Sequence, residues 1–524
     1  MPKKEITAGY AASGFAGYLF PSLRARGYGE EKPRPPYEII IYKEGEKIKA
    51  DTRKGKTIAE GQSEIDDTDV IQSAVSNVSA GRVYFENTSY KITNTISCSS
   101  CIEIVSSGAL LDLSSLNTVA FRFGSEESVS ACLASLCGFK VEGSSTNSST
   151  RLVEVNRIVR GFHLERIHHK NLNNLIEAKG ECFDITIRDC FGSRLKGDWI
   201  RLVTLDIDSI PRKPNNAAIQ NCEISNSWSE TGGRGILIFS SNEDATVSGA
   251  VGTVKIHNCW LEALDVGVYS ESRNTIISDS HFGCVDKCIH INTKEIDGQY
   301  MAYSGNAALV EDNYISISEA TTFGIYLDGA PRQHVISDNY FCWCRGVGIH
   351  CTNKQRITCE GNVFEAGSSD AKFITGYLTH SRIVGNLILG DLSNPRGQGV
   401  NASGLSVVIS SNQFVGLDYP IFSPNLNWAQ ADDNIFYGNN NDPVLGTKYR
   451  NSGIETFSGD GTTTQFSIAH GLVSEPSKVL VTPMTEDAAG DFYVTKDATN
   501  IYVNYLSAPP SGSNNVKLSW YAEV

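Results

Sequence analysis

Two pairs of acidic residues occupy matching places in a repeat that runs through the chain: Glu230 with Glu262, and Asp265 with Asp286. If consecutive repeats stack as coils of a solenoid, each pair lies one strand spacing apart, about 4.8 Å. Carboxylates that close repel, so one of the two keeps its proton to higher pH, as a general acid must. An acid and a second carboxylate are the equipment of glycoside hydrolysis. Elimination needs a Lys, Arg, His or Tyr base instead, with charge neutralisation of a uronate, often by a cation. The loop acids Asp206, Asp208, Glu243 and Asp244 are alternatives. Solvated turn carboxylates are the competing reading, because turns are rich in Asp and Glu. Tyr300 and Tyr303 offer rings that can stack on a pyranose, and Arg212 and Lys213 can pair with an acidic glycan. Trp228 and Trp260 fall in an apolar column and are read as core.

The elements that would position these residues follow from the repeat. Anchors at Asp189, Asn226, Asn258, Asp279, Asn313, Asn339, Asn362, Asn386, Asn412 and Asn434 recur at intervals of 21 to 37 residues, most often 22–26. Two residues past each anchor stand Phe191, Trp228, Trp260, His281, Ile315, Phe341, Phe364, Ile388, Phe414 and Phe436. A recurring apolar position becomes an inward ladder, and a recurring Asn suits a turn that enters the αL region. The period fits an all-β right-handed parallel β-helix with three short strands per coil. A propeller blade needs about 40 residues, and no leucine-rich pattern recurs. Longer intervals put loops at 204–217, 240–253 and 293–306. Leaving one corner of nearby coils, they are expected to wall a lateral groove.

Composition sets the outer limits. The 524 residues carry 45 basic and 59 acidic side chains, a net charge of −14, which argues against nucleic acid as a partner. No run of 18 apolar residues exists, so no membrane span is expected. Of 14 cysteines, Cys98 and Cys101 form a lone CxxC, and the rest read as buried free thiols. No metal site is expected, and no cofactor beyond a divalent cation such as Ca2+ if the chemistry is elimination. Residues 1–36 read as an attachment segment and linker, 37–65 as a small β adaptor and 66–450 as the β-helix. Residues 451–524, with alternating strands and Gly, Asp and Pro turns, read as an antiparallel β-sandwich.

Residues 66–92, DDTDVIQSAVSNVSAGRVYFENTSYKI, place an amphipathic helix before a Gly81 turn and two strands. This run, with the later NxF coils, resembles the opening of the pectate-lyase-like right-handed parallel β-helix superfamily. Within it the chain is most similar to viral tailspike and polysaccharide depolymerase proteins. Ser79 to Arg82 stand where a Gly–Gly pair is common, and the polygalacturonase set of NTD, DD, GHG and RIK is missing. The resemblance implies a virion-borne or extracellular homotrimer, attached through its N-terminus, that binds a surface polysaccharide. Whether it also cleaves, by hydrolysis or elimination, is left open. The alternatives are a non-catalytic glycan-binding or structural fibre, and a secreted microbial lyase or hydrolase.

Overall fold

The computed structural model describes residues 37–98, 101–146, 149–207, 210–226, 233–239, 251–293, 295–296, 299–300, 307–318, 322–329, 332–423, 425–430, 433–445 and 450–524. The expected attachment segment, 1–36, lies outside the described residues.

The chain is an all-β right-handed parallel β-helix followed by a small antiparallel sandwich. Each coil contributes one strand to each of three parallel sheets. In one coil these are Thr253–His257 (sheet one), Trp260–Glu262 (sheet two) and Val266–Ser270 (sheet three). They pair in register with Asn274–Ser278, His281–Gly283 and Lys287–Thr293 of the next coil. Among the described residues sheet two is a stack of 14 strands. Because side chains alternate across a strand, every coil sends one set of residues inward. Leu261, Phe282, Ile315, Phe341 and Phe364 form such a column, each fully buried.

The corner between sheets one and two explains the Asx recurrence. From Asp312 onward one residue there turns left-handed: Asp312, Asp338, Gly361, Gly385, Ser411 and Asp433, with φ of 55°, 56°, 67°, 68°, 56° and 56°. The next residue is a buried Asn. The amide Nδ2 of Asn313 donates to Asn339 Oδ1 (2.9 Å), Asn339 to Asn362 (2.9 Å), Asn362 to Asn386 (3.0 Å) and Asn386 to Asn412 (2.9 Å). The backbone N–H of each donates to the same oxygen. The corner thus satisfies polar groups that no strand can reach. In earlier coils the buried place goes to Cys190, Cys222, Cys259 and Ser280. Thirteen of the fourteen cysteines are buried and all are free thiols.

The helix Asp67–Ser76 lies across the first coil with Val70, Ile71, Ala74 and Val75 buried. It covers core that would otherwise face water. Buried Asp67 pairs with Lys43 at 3.0 Å and accepts from the backbone N–H of Glu64 and Lys91. Strand Ile39–Glu44 pairs in parallel with Ala80–Phe85 and starts an antiparallel meander through Lys47–Thr52 to Thr57–Gln62. Residues 39–62 are therefore continuous with sheet one. At the other end two three-stranded antiparallel sheets form the sandwich, around Ile468, Ile501, Val503, Val516 and Leu518. No helix among the described residues is long and apolar enough to cross a membrane.

Two stability predictions follow from these buried polar groups. Asn362→Leu strips the acceptor from Asn339 and should cost roughly 2–5 kcal/mol, read as a lower denaturation midpoint, because two donors lose their partner. An unchanged midpoint would show the ladder to be dispensable. Buried His169 accepts from Trp199 Nε1, and burial lowers its pKa to about 3. Burial likewise lowers His334 to about 4. The unfolded chain binds these protons first, so their contribution is complete above about pH 6.5 and declines as pH falls toward 3–4. Melting temperature should drop across that window, and less so in His334→Leu.

Candidate functional site

Sheet two decides which aromatic residues reach solvent. Trp260 stands opposite Glu223 and His281, while Leu261 stands opposite Ile224 and Phe282. The indole is 44% exposed and Leu261 is buried. The expectation that Trp260 belongs to the core is corrected here, and the cause is a shift of one residue. Asp189, Asn258 and Asp279 are the left-handed corner residues, with φ of 55°, 50° and 52°. Asn313, Asn339 and Asn362 instead follow such a residue. Counting two onward from both kinds mixes the two faces of the strand, since a one-residue slip reverses every side chain. Phe191 and His281 move outward for the same reason.

Correct registration shows a continuous outward ladder: His168, Phe191, Glu223, Trp260, His281, Tyr314 and Tyr340. Every rung is aromatic or imidazole except Glu223. The rings contact one another. His168 meets Phe191 at 5.0 Å, and Trp260 stacks on His281 at 3.7 Å and 10°. His281 stacks on Tyr314 at 4.9 Å and 11°, and Tyr314 leans on Tyr340 at 5.5 Å. Beside the ladder runs the corner column of Asn221, Asn258, Asp279 and Asp312. Asn258 Nδ2 donates to Asn221 Oδ1 at 2.9 Å, and Asn221 Nδ2 to Asp189 at 3.1 Å. Phe191, Glu223, Trp260, His281 and Tyr314, with these corner residues, line a shallow groove of 590 Å³ running along the solenoid axis.

Glu262 stands beside this groove, two residues along the strand from Trp260 and on the same outward face. The indole N–H donates to its Oε2 at 2.9 Å, which fixes ring and carboxylate together. Its neighbours across the sheet are Ser225 and Gly283. The expected equivalence of Glu262 with Glu230 is therefore corrected; Glu230 and Trp228 lie outside the described residues. The acidic partner is Glu223. Partial desolvation by the groove wall raises its pKa, and the negative charge of Glu262 raises it further. From one strand spacing and a two-residue offset, their Cα atoms are about 8 Å apart. Burial lowers the His281 pKa, with Glu262 acting in the opposite direction. The hydrogen bond to Glu365 (2.6 Å), with desolvation, pushes Tyr340 up to about 12.

The remaining expected residues lie elsewhere. Asp265 and Asp286 do occupy neighbouring coils, the N–H of Asp286 donating to the Asp265 carbonyl at 3.0 Å. They stand at the turn before sheet three, and Asp286 pairs with Lys287. The long loops follow sheet three. Ile200–Val203 leads to a hairpin of Leu205–Ile207 with Ile210–Arg212, and Lys287–Thr293 leads to a ribbon of Glu295–Ile296 with Gln299–Tyr300. They share a corner, which is across the coil from the turn between sheets one and two. Tyr300 is the last residue of that ribbon; Tyr303, Asp208, Glu243 and Asp244 lie outside the described residues. Arg212 is a strut, its guanidinium bound to Glu181 (2.8 Å), which also binds Arg157 (2.7 Å). Burial and the charge of Arg273 lower the Lys213 pKa. Glu223, Tyr314 and Tyr340 escaped the sequence reading. Aligning on the buried column, Cys190, Cys222, Cys259, Ser280 and Asn313, would have found them.

No curated protein matches the chain. A family profile described as periplasmic copper-binding protein (NosD) matches residues 206–376. Among the described residues no group of three or more His, Cys, Asp or Glu is placed to hold a metal ion. Solved structures give the broader likeness. The tailspike protein of Escherichia coli bacteriophage HK620, in complex with a pentasaccharide, superposes with a TM-score of 0.56 at 11% identity. The match covers 90% of this chain and 92% of that one. A double mutant of that tailspike with the pentasaccharide gives 0.54, at the same identity and coverage. The fold is that of the phage tailspikes. At this identity the likeness extends to the fold, and function must be argued from the groove.

Registration makes a direct prediction. Leu261→Ala should cost about 2–5 kcal/mol, because it empties a core site. Trp260→Ala, on the surface, should cost less than about 1.5 kcal/mol in the same denaturant titration. The reverse order would return Trp260 to the core.

Proposed function

We propose that this protein is a tailspike-like, virion-borne polysaccharide depolymerase whose glycan runs along the sheet-two groove. The single observation that carries the reading is the ladder itself: a column of outward rings interrupted once, by a glutamate with a raised pKa. Rings bind the apolar faces of sugars. Glu223, held protonated longer than an ordinary carboxyl, is assigned as general acid to the leaving oxygen. Glu262, fixed by the Trp260 indole, is assigned as the base that activates water. A separation of about 6.5–9.5 Å between such carboxyls leaves room for that water and inverts the anomeric centre. Among the described residues lining the groove, His281 and Tyr314 are of the types that serve elimination as bases, but no Lys or Arg stands there, and on that ground hydrolysis is favoured. A uronate would have no counter-charge there. The overall likeness to a tailspike solved with a pentasaccharide supports the ligand class. A homotrimer and particle attachment through the N-terminal residues belong to the same reading.

Reducing-end release from bacterial surface polysaccharides, with absorbance near 235 nm followed in parallel, tests it. Reducing ends without absorbance are expected. Glu223→Gln and Glu262→Gln should each lower the rate at least 100-fold, the low end for a lost acid or base, while polymer binding persists. Activity should fall as pH rises through the elevated Glu223 pKa, because the acid form is then lost. Wild-type rates in both variants would leave the groove a binding surface alone. A rise in absorbance would replace hydrolysis by elimination.

A further inference from the structure

The turn after each sheet-two strand is tight, and its corner residue repeatedly has a left-handed backbone. It is Asn171 (φ 58°), Arg194 (φ 55°), Ala263 (φ 55°), Gly416 (φ 64°) and Gly438 (φ 64°) in different coils. In the coil of Tyr340 the same corner is Trp343, at φ 51°. For a bulky side chain this conformation is a true outlier, disfavoured because Cβ crowds the following carbonyl. The local structure accommodates it. The sheet register skips between Phe341 and Cys344, so Trp343 sits on a bulge. The next coil supplies Gly367, where a Cβ would come within 2.6 Å of the Trp343 carbonyl oxygen.

The Trp343 side chain is 62% exposed. Among the described residues its indole makes no hydrogen bond and no ring contact, although neighbouring rungs make several. Backbone strain of this kind clusters at functional positions. Trp343 follows Tyr340, the last ring of the ladder, by three residues. It lies four coils beyond Glu223, about 19 Å along the axis at one strand spacing per coil.

We infer that Trp343 is an outlying sugar platform that flanks Tyr340 across sheet two, at the far corner of the same coil, and holds the distal part of a long glycan chain. This rests on the groove reading above and adds to it a length requirement. Chains long enough to span from Glu223 to Trp343 gain the contact, and short oligomers do not reach it.

The test compares wild type, Trp343→Asn and Trp260→Ala as full-length proteins. Binding is measured on immobilised bacterial O-polysaccharides and capsules and on short oligomers cut from them. Asn is chosen because it tolerates the left-handed corner, as Asn171 does. W343N should raise the melting temperature by about 1 °C or more through relief of strain. It should weaken binding of the long polymer roughly five- to tenfold, the loss of one aromatic contact, and leave short oligomers unaffected. A lower melting temperature, or unchanged polymer affinity while W260A loses binding, would overturn the inference and leave the groove intact. Polymer binding by W260A equal to wild type, or no polymer bound by wild type, would remove the groove reading and this inference with it.

Discussion

Everything in this molecule depends on one coil hydrogen-bonding the next in strict register. A parallel stack leaves no freedom along the axis: each strand's N–H and C=O groups face those of its neighbours, and side chains inherit the same spacing. The corner between sheets one and two is where this arrangement is vulnerable, because the backbone there turns left-handed and ladder bonding stops. The buried Asn column meets that need, each carboxamide serving its own coil and the next. Where Cys or Ser takes its place, the thiol or hydroxyl bonds backbone carbonyls instead.

The same register generates the groove. A position repeated inward is a core, and the position beside it, repeated outward, is a surface column. Rings in that column stack because consecutive rungs lie about a ring-stacking distance apart, and Trp260 on His281 at 3.7 Å is the tightest case. A carboxylate substituted into the column is flanked by rings that exclude water, so its pKa rises without any deep pocket. Glu223 and Glu262 differ in environment for that reason, one in the ring column and one tied to an indole. Trp343 stands beside the last rung of the ladder, an exposed ring on a left-handed corner.

The likeness to phage tailspikes spans nearly the whole length of both chains at 11% identity. Such divergence is expected of a solenoid, where any residue of suitable size and polarity can fill a column so long as the period is kept. It also explains why the fold says little about what the surface binds. The outward columns are free to change without disturbing the stack.

The sequence by itself determined the solenoid, its coil length, the helix that covers its first coil and the antiparallel sandwich at its end. These are periodic or locally patterned features, and a period survives small errors in alignment. It also placed Asp265 and Asp286 in neighbouring coils. Only the tertiary structure decided which face each residue takes. Asn258 and Asn313 look alike in the sequence, yet one is the left-handed corner and the other the buried residue after it. That single step turned Trp260 from core to groove, separated Glu262 from Glu230 and brought Glu223 beside it. Side-chain direction in a strand reverses with every residue, so a one-residue ambiguity that leaves the fold legible erases the site.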